Sequence, residues 1–181
     1  MWGRSKPKEE PKSGFMGDTS PEQDAVLATF KQWVEAEKVA DLALYDDYDM
    51  LRFCRARKFV LEDMQLMFKN FIDWRIKEGV DTIIKDYAFE EKEKIQEVYP
   101  HGYHGVDKFH RPIYIERIGM LDVPAVFTIS TEERMIKHYI KEYEVLMKLR
   151  FPACSELAGK KIQQGLTIMD LTHGSIGTIN K

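Results

Sequence analysis

Apolar residues recur three and four apart through the first hundred positions of the chain, and the rhythm then changes. Val26, Leu27, Phe30, Trp33 and Val34 mark one face of a helix that Ser20-Pro21-Glu22-Gln23 opens with an N-cap, a proline at the first helical position and an acidic first turn. A second helix is expected to start at Asp47 or Asp49 and to end in a basic stretch at residues 51–59. From Leu61 to Lys77 the face is Met64, Met67, Phe68, Phe71, Ile72 and Trp74, closed by Gly79. Shorter helices follow from Asp81 and from Glu90 to Val98, and Pro100 ends them. After it, His101, Gly102, His104, Gly105 and Asp107 predict a turn-rich loop, and Arg111-Pro112 opens a β run through Ile118. Ser130-Thr131-Glu132-Glu133 reads as a capping box. The helix behind it should turn Ile136, Tyr139, Ile140, Tyr143 and Met147 to the core and stop at Phe151-Pro152. Leu166 to Leu171 is near-continuously apolar, as in a strand covered on both faces. Strand, helix, strand predicts a right-handed βαβ unit in a parallel or mixed sheet, and Thr172 to Ser175 should lead into a further helix.

The pattern divides the chain into a disordered arm at 1–20, too poor in apolar residues to fold alone, a helical domain at 21–98 and an α/β part at 99–181, with the boundary near Tyr99. A length of 181 residues with 44% hydrophobic content allows one ordinary domain, or a small domain joined to part of a second. A net charge of −3 argues against nucleic acid held by bulk charge. Cys54 and Cys154 are far apart in apolar surroundings, which favours free buried thiols in a reducing, cytoplasmic compartment. No apolar run approaches the ~18 residues of a membrane span, and Met1-Trp2-Gly3-Arg4 begins neither a secretory signal nor a myristoylation site. Any membrane contact should therefore be peripheral.

Candidate chemistry concentrates at Leu51-Arg52-Phe53-Cys54-Arg55-Ala56-Arg57-Lys58-Phe59, with four cations and no acid before Glu62. Met50, Leu51, Phe53, Cys54 and Ala56 can face a core while the cations lean outward. Two readings stay open: a solvated helix end whose cations suit the macrodipole, and a phosphate site of planar arginine forks. Other signatures fail to complete. The acids Asp41, Asp46, Asp47 and Asp49 lack the EF-hand glycine and glutamate, and capping explains them. His101, His104 and His110 have no cysteine partner or helical pairing, so no metal is expected. Gly174-Ser175-Ile176-Gly177 lacks the dinucleotide spacing, Gly159-Lys160-Lys161 lacks the rest of a P-loop, and there is no nucleophile elbow. Asp170-Leu171-Thr172 has a threonine where an aspartyl-nucleophile motif has its second acid. No catalytic residue is assigned.

The motifs LRFCRARKF, a Trp74-Arg75 helix, DTIIKDY, YHGVDKFHRPIYIERIG, TEERM, EYE, FPAC and TIMDL, in this order from roughly Asp24 to Lys181, resemble the CRAL-TRIO lipid-binding family. The similarity points to its phosphatidylinositol/phosphatidylcholine transfer branch. It implies a helical N-terminal domain followed by the first part of an α/β lipid-binding domain, whose later strands and gate helix are expected beyond Lys181. It also implies a phospholipid ligand, no further cofactor and no enzymatic step. The expected setting is a monomer working peripherally on Golgi or plasma membrane and presenting lipid to lipid-modifying enzymes. The residues that match the family's ligand-binding motifs are Arg57, for an inositol phosphate, and Tyr103, Tyr114, Tyr143 and Thr167, for a choline headgroup. Tyrosine suits a quaternary ammonium through its ring face and a phosphate through its hydroxyl. Gly165 stands where choline-exchanging members have serine. A protein-interaction module of the same fold and, further off, an α/β enzyme are the alternatives.

Overall fold

The computed structural model describes residues 12–174. Ser20 starts helix α1 (Pro21–Ala36): its hydroxyl accepts from the Gln23 amide at 3.2 Å, and the Gln23 side chain accepts from the Ser20 amide at 3.0 Å. Helix α2 (Asp47–Ala56) starts at Asp47, as expected, and the residue before it, Asp46, is the cap, its carboxylate accepting from the Asp49 amide at 3.0 Å. Helix α3 (Leu61–Glu78) ends before Gly79, which takes a left-handed φ of 62°. Phe68 is fully buried and meets Phe30 and Phe53 edge-on, with ring centroids 5.6 and 5.0 Å apart. The helices α1, α2 and α3 thus share one core with Val34, Met50, Leu51, Cys54 and Met64. Two residues assigned to that core from the pattern are elsewhere. Ala56 is exposed at the helix end, and Trp74 is 41% exposed while Arg75 takes the buried place.

The expected disordered arm is only partly observable, since residues 1–11 lie outside the described range. Residues 12–20 are a defined turn: Asp18 accepts from the Ser13 hydroxyl and amide, and Arg55 donates to the Gly14 carbonyl at 3.1 Å and covers the Phe15 ring. Sequence composition could not show this, because the partner residue lies some forty positions on.

The chain separates into two compact units, Met1–Glu78 and Gly79–Lys181, and the expected boundary near Tyr99 falls inside the second. That unit begins with α4 (Ile83–Asp86) and α5 (Lys92–Val98), whose Ile95 is buried with Tyr99, Val126 and Met135. Strand β1 (His101–Val106) then occupies what the glycines and histidines had marked as a loop. Its pairing comes from β2 (Pro112–Glu116), antiparallel in the register His101 to Glu116 and Tyr103 to Tyr114, so the neighbour overrides a poor strand propensity. Helices α6 (Val123–Ile129) and α7 (Glu132–Val145) follow, and β3 (Leu166–Met169) returns parallel to β2. The sheet is mixed, in the order β1-β2-β3, and the chain is helix-rich with this small sheet, compatible with an α/β class.

Three expectations fail here for identifiable reasons. Phe151-Pro152 does not stop the helix: a π turn at Leu146–Arg150 widens the ladder where the proline lacks an N–H, and α8 (Phe151–Ala158) runs on to Gly159. The buried side of α7 is Met135, His138 and Glu144, while Ile136 and Tyr143 are 49% and 67% exposed. Glu144 tolerates that side because Lys148 pairs with it at 3.0 Å. Strand β3 is not covered on both faces, since Ile168 and Met169 are 45% and 60% exposed. The helix expected after Ser175 lies outside the described residues.

Candidate functional site

Two places carry the sequence-predicted residues, one in each unit. The first is the end of α2. Arg57 is its C-cap residue, with its amide donating to the Phe53 carbonyl at 3.1 Å. Lys58 and Phe59 then both take left-handed φ values, 50° and 60°, which reverses the chain into α3. The four cations of the stretch are held differently. Arg52 sits 3.6 Å from Asp49, and Arg55 is spent on Gly14 and Phe15. The Arg57 guanidinium is exposed, and its one hydrogen bond among the described residues goes to the adjacent Ala56 carbonyl at 3.2 Å.

The second is one side of the sheet. Tyr103 lies opposite Tyr114, and Tyr114 lies opposite Thr167. Directly opposed residues of neighbouring strands share a side, so the three form a single row across β1, β2 and β3. The two tyrosine rings are 5.1 Å apart. His101, two residues before Tyr103 on the same side, has its ring 6.1 Å from Tyr139, which places α7 over the row. Tyr143, one turn further along α7, is close enough to both phenols to act on their ionisation. Burial is the main cause that pushes the Tyr114 phenol up to about 12 and raises that of Tyr103. Both therefore remain neutral hydrogen-bond donors at neutral pH. Neither they nor Tyr143 have a hydroxyl partner among the described residues. The sheet and α7 thus bring together Tyr103, Tyr114, Tyr143 and Thr167, four of the five residues singled out by motif.

Arg150 and Glu142 were not anticipated. The Arg150 guanidinium lies 4.1 Å over the Tyr103 ring, its Nη2 is 3.2 Å from Glu142, and its Nη1 is buried with no partner. Glu142 also faces Lys92 at 3.8 Å. The two are eight residues apart, outside the i,i+3 and i,i+4 spacing by which helical ion pairs are read, so the sequence carried no signal for the pair. At Gly165, an added Cβ would approach the Pro112 carbonyl to 3.3 Å, a tight but not prohibitive contact. Among the described residues no group of three His, Cys, Asp or Glu is placed to hold a metal ion, and no helix is long and apolar enough to cross a membrane. Cys54 and Cys154 are buried free thiols.

No protein-family model matches the chain. Curated proteins do. The chain is 40% identical over 166 residues to the SEC14 cytosolic factor of Kluyveromyces lactis, covering 92% of this chain and 54% of that protein. It is 40% identical over 167 residues to the Sec14 cytosolic factor of Schizosaccharomyces pombe, covering 92% and 58%. A phosphatidylinositol/phosphatidylcholine transfer protein of Arabidopsis thaliana is 45% identical over 138 residues, 76% of this chain and 25% of the relative. The chain thus spans about half the length of the Sec14 factors it matches and about a quarter of the plant protein. A helix-rich chain with a tyrosine-bearing mixed sheet is the class that the fold and site define. By sequence it is similar, over about half their length, to Sec14-type phosphatidylinositol/phosphatidylcholine transfer proteins, as its motifs had indicated.

Proposed function

We propose that the protein binds a phospholipid by its headgroup and exchanges it between membranes, phosphatidylinositol through Arg57 and phosphatidylcholine through the tyrosine row. The observation that carries this reading is the alignment of Tyr103, Tyr114 and Thr167 across three strands beside Tyr143, with the half-buried phenols of Tyr103 and Tyr114 lacking a hydrogen-bond partner among the described residues. Polar groups gathered on a half-buried sheet side without partners are donors for something else. Aromatic faces and neutral hydroxyls together suit a group that is cationic at one end and phosphate at the other. The names of the relatives support the same ligands.

The proposal extends to the setting. Binding and release involve no covalent step, so the protein is not an enzyme and needs no cofactor. It works in the cytoplasm as a monomer, touching Golgi or plasma membrane peripherally and delivering lipid to lipid-modifying enzymes. Gly165 shifts the balance toward phosphatidylinositol.

The test is capture of lipid from vesicles of phosphatidylcholine mixed with phosphatidylinositol, read by native mass spectrometry. The parent chain should carry away both lipids. Replacing Tyr103 and Tyr114 together by phenylalanine should reduce phosphatidylcholine more than phosphatidylinositol. Capture of neither lipid by the parent, or an unchanged ratio in the variant, counts against the reading.

A further inference from the structure

Four residues of the tyrosine side are electrically neutral, and a phosphodiester that enters it brings a full negative charge. Taking such a charge out of water is unfavourable unless a cation or several donors meet it. Among the described residues the cation beside the row is Arg150, which lies 4.1 Å over the Tyr103 ring. Its donors are only partly used: Nη2 is 3.2 Å from Glu142, whereas Nη1 is buried and makes no hydrogen bond. A buried donor left without an acceptor is unfavourable, so this guanidinium gains from any acceptor brought within its reach. A planar fork is also the side chain best matched to two phosphate oxygens.

We infer that Arg150 is a further ligand-binding residue of this site, the group that pairs with the phosphodiester of the headgroup. The inference rests on the headgroup reading of the tyrosine row and adds a division of labour to it. With a guanidinium already over one face of Tyr103, that face is closed to a quaternary ammonium, and a second cation there would be repelled. The ammonium therefore goes to Tyr114 and Tyr143, while Tyr103 presents its hydroxyl and its attached arginine to the phosphate. Glu142 is the competing acceptor. It holds Arg150 in place before the ligand arrives and shares it with Lys92, 3.8 Å away. Phosphate recognition at this site is then an exchange of one anion for another on the same guanidinium. Discrimination between a zwitterionic headgroup and a bare cation follows from Arg150 rather than from the tyrosines.

The experiment uses saturation-transfer NMR on the whole chain with three soluble probes: glycerophosphocholine, choline and inorganic phosphate. The parent should bind glycerophosphocholine best. Arg150→Met, which keeps length and loses charge, should weaken glycerophosphocholine by roughly tenfold or more and leave choline unchanged or stronger. Arg150→Lys should recover part of the loss. Glu142→Gln frees the guanidinium and should strengthen glycerophosphocholine a few-fold, so a variant with the opposite sign keeps the idea testable if Arg150→Met does not fold. Equal weakening of choline and glycerophosphocholine by Arg150→Met overturns the inference, because Arg150 would then only prop the Tyr103 ring. So does weaker glycerophosphocholine binding in Glu142→Gln. Inorganic phosphate binding as tightly as glycerophosphocholine makes this a free-phosphate site and rejects the headgroup assignment. Parent binding of choline without preference for glycerophosphocholine sinks the Arg150 role alone, whereas a parent that binds neither organic probe removes the headgroup reading of the tyrosine row with it.

Discussion

Arg52 and Arg57 belong to the same basic helix end and differ in what holds them: Arg52 is 3.6 Å from Asp49, and Arg57 projects an exposed guanidinium bonded only to the Ala56 carbonyl among the described residues. A cation that merely suits a helix end is worth a few tenths of a kcal/mol, whereas a lost charge-assisted contact to phosphate costs about 2–5 kcal/mol. Arg57→Ala should therefore lower phosphatidylinositol capture by at least roughly tenfold with an unchanged melting temperature. Arg52→Ala and Lys58→Ala should not, and equal losses in all three would reduce the stretch to a general charge patch. Gly165→Ser is expected to raise phosphatidylcholine capture relative to phosphatidylinositol. The new hydroxyl falls on the side of Thr167, two residues on, and its Cβ must settle against the Pro112 carbonyl at 3.3 Å. A competition between the two lipids measures it, and a constant ratio would dissociate Gly165 from headgroup choice. At this scale motifs named Tyr103, Tyr114, Tyr143 and Thr167, but they could not show that Tyr143 is 67% exposed or that Arg150 caps Tyr103. Those facts arise from contacts between elements distant in sequence.

Elements were legible wherever a cap and a period agreed, as at Ser20-Pro21 and along α3. They were not where a neighbour decides. Strand β1 exists because β2 pairs with it, and α8 continues because a π turn absorbs Pro152. The packing of α7 sets an acid response that no pattern announces. Glu91, at the start of α5, holds Arg134 of α7 through both oxygens, at 2.5 and 2.7 Å, which keeps its carboxyl down at about 2 against an ordinary 4.5. A depressed carboxyl stabilises the fold above its unfolded value, and that contribution disappears as pH falls from about 4.5 toward about 2. His138, stacked on Phe89 at 4.3 Å, and His101 are pushed below 6.5 mainly by burial, with Glu142 opposing and Lys92 assisting. The unfolded chain takes up protons at these histidines first, so acidification below about 6.5 already lowers stability. Melting temperatures followed down an acid titration should fall in two windows. His138→Gln should flatten the upper one and Arg134→Met the lower, and a chain whose melting is level through both would remove this account.

Across the whole chain, charge and burial point to one exposed feature that the sequence described differently. The run Leu166 to Leu171 reads as a strand with both faces covered, yet Ile168, Met169 and Leu171 are 45%, 60% and 61% exposed. Strand β3 also ends the sheet, so among the described residues its outer edge offers unpaired backbone groups beside apolar side chains. Such an edge is a template for pairing with another copy. A net charge of −3 spread over 181 residues supplies little repulsion to prevent it. The chain is therefore expected to self-associate as its concentration rises, with sedimentation velocity showing a shift from monomer to larger species. Ile168→Lys should suppress the shift by placing a charge on that edge. Because Ile168 and Thr167 alternate across the strand, the lysine lies on the side away from the tyrosine row, and binding of glycerophosphocholine should be untouched. Association that persists in Ile168→Lys would locate the sticky surface elsewhere, and loss of probe binding together with association would mean that the two sides of the sheet are not independent.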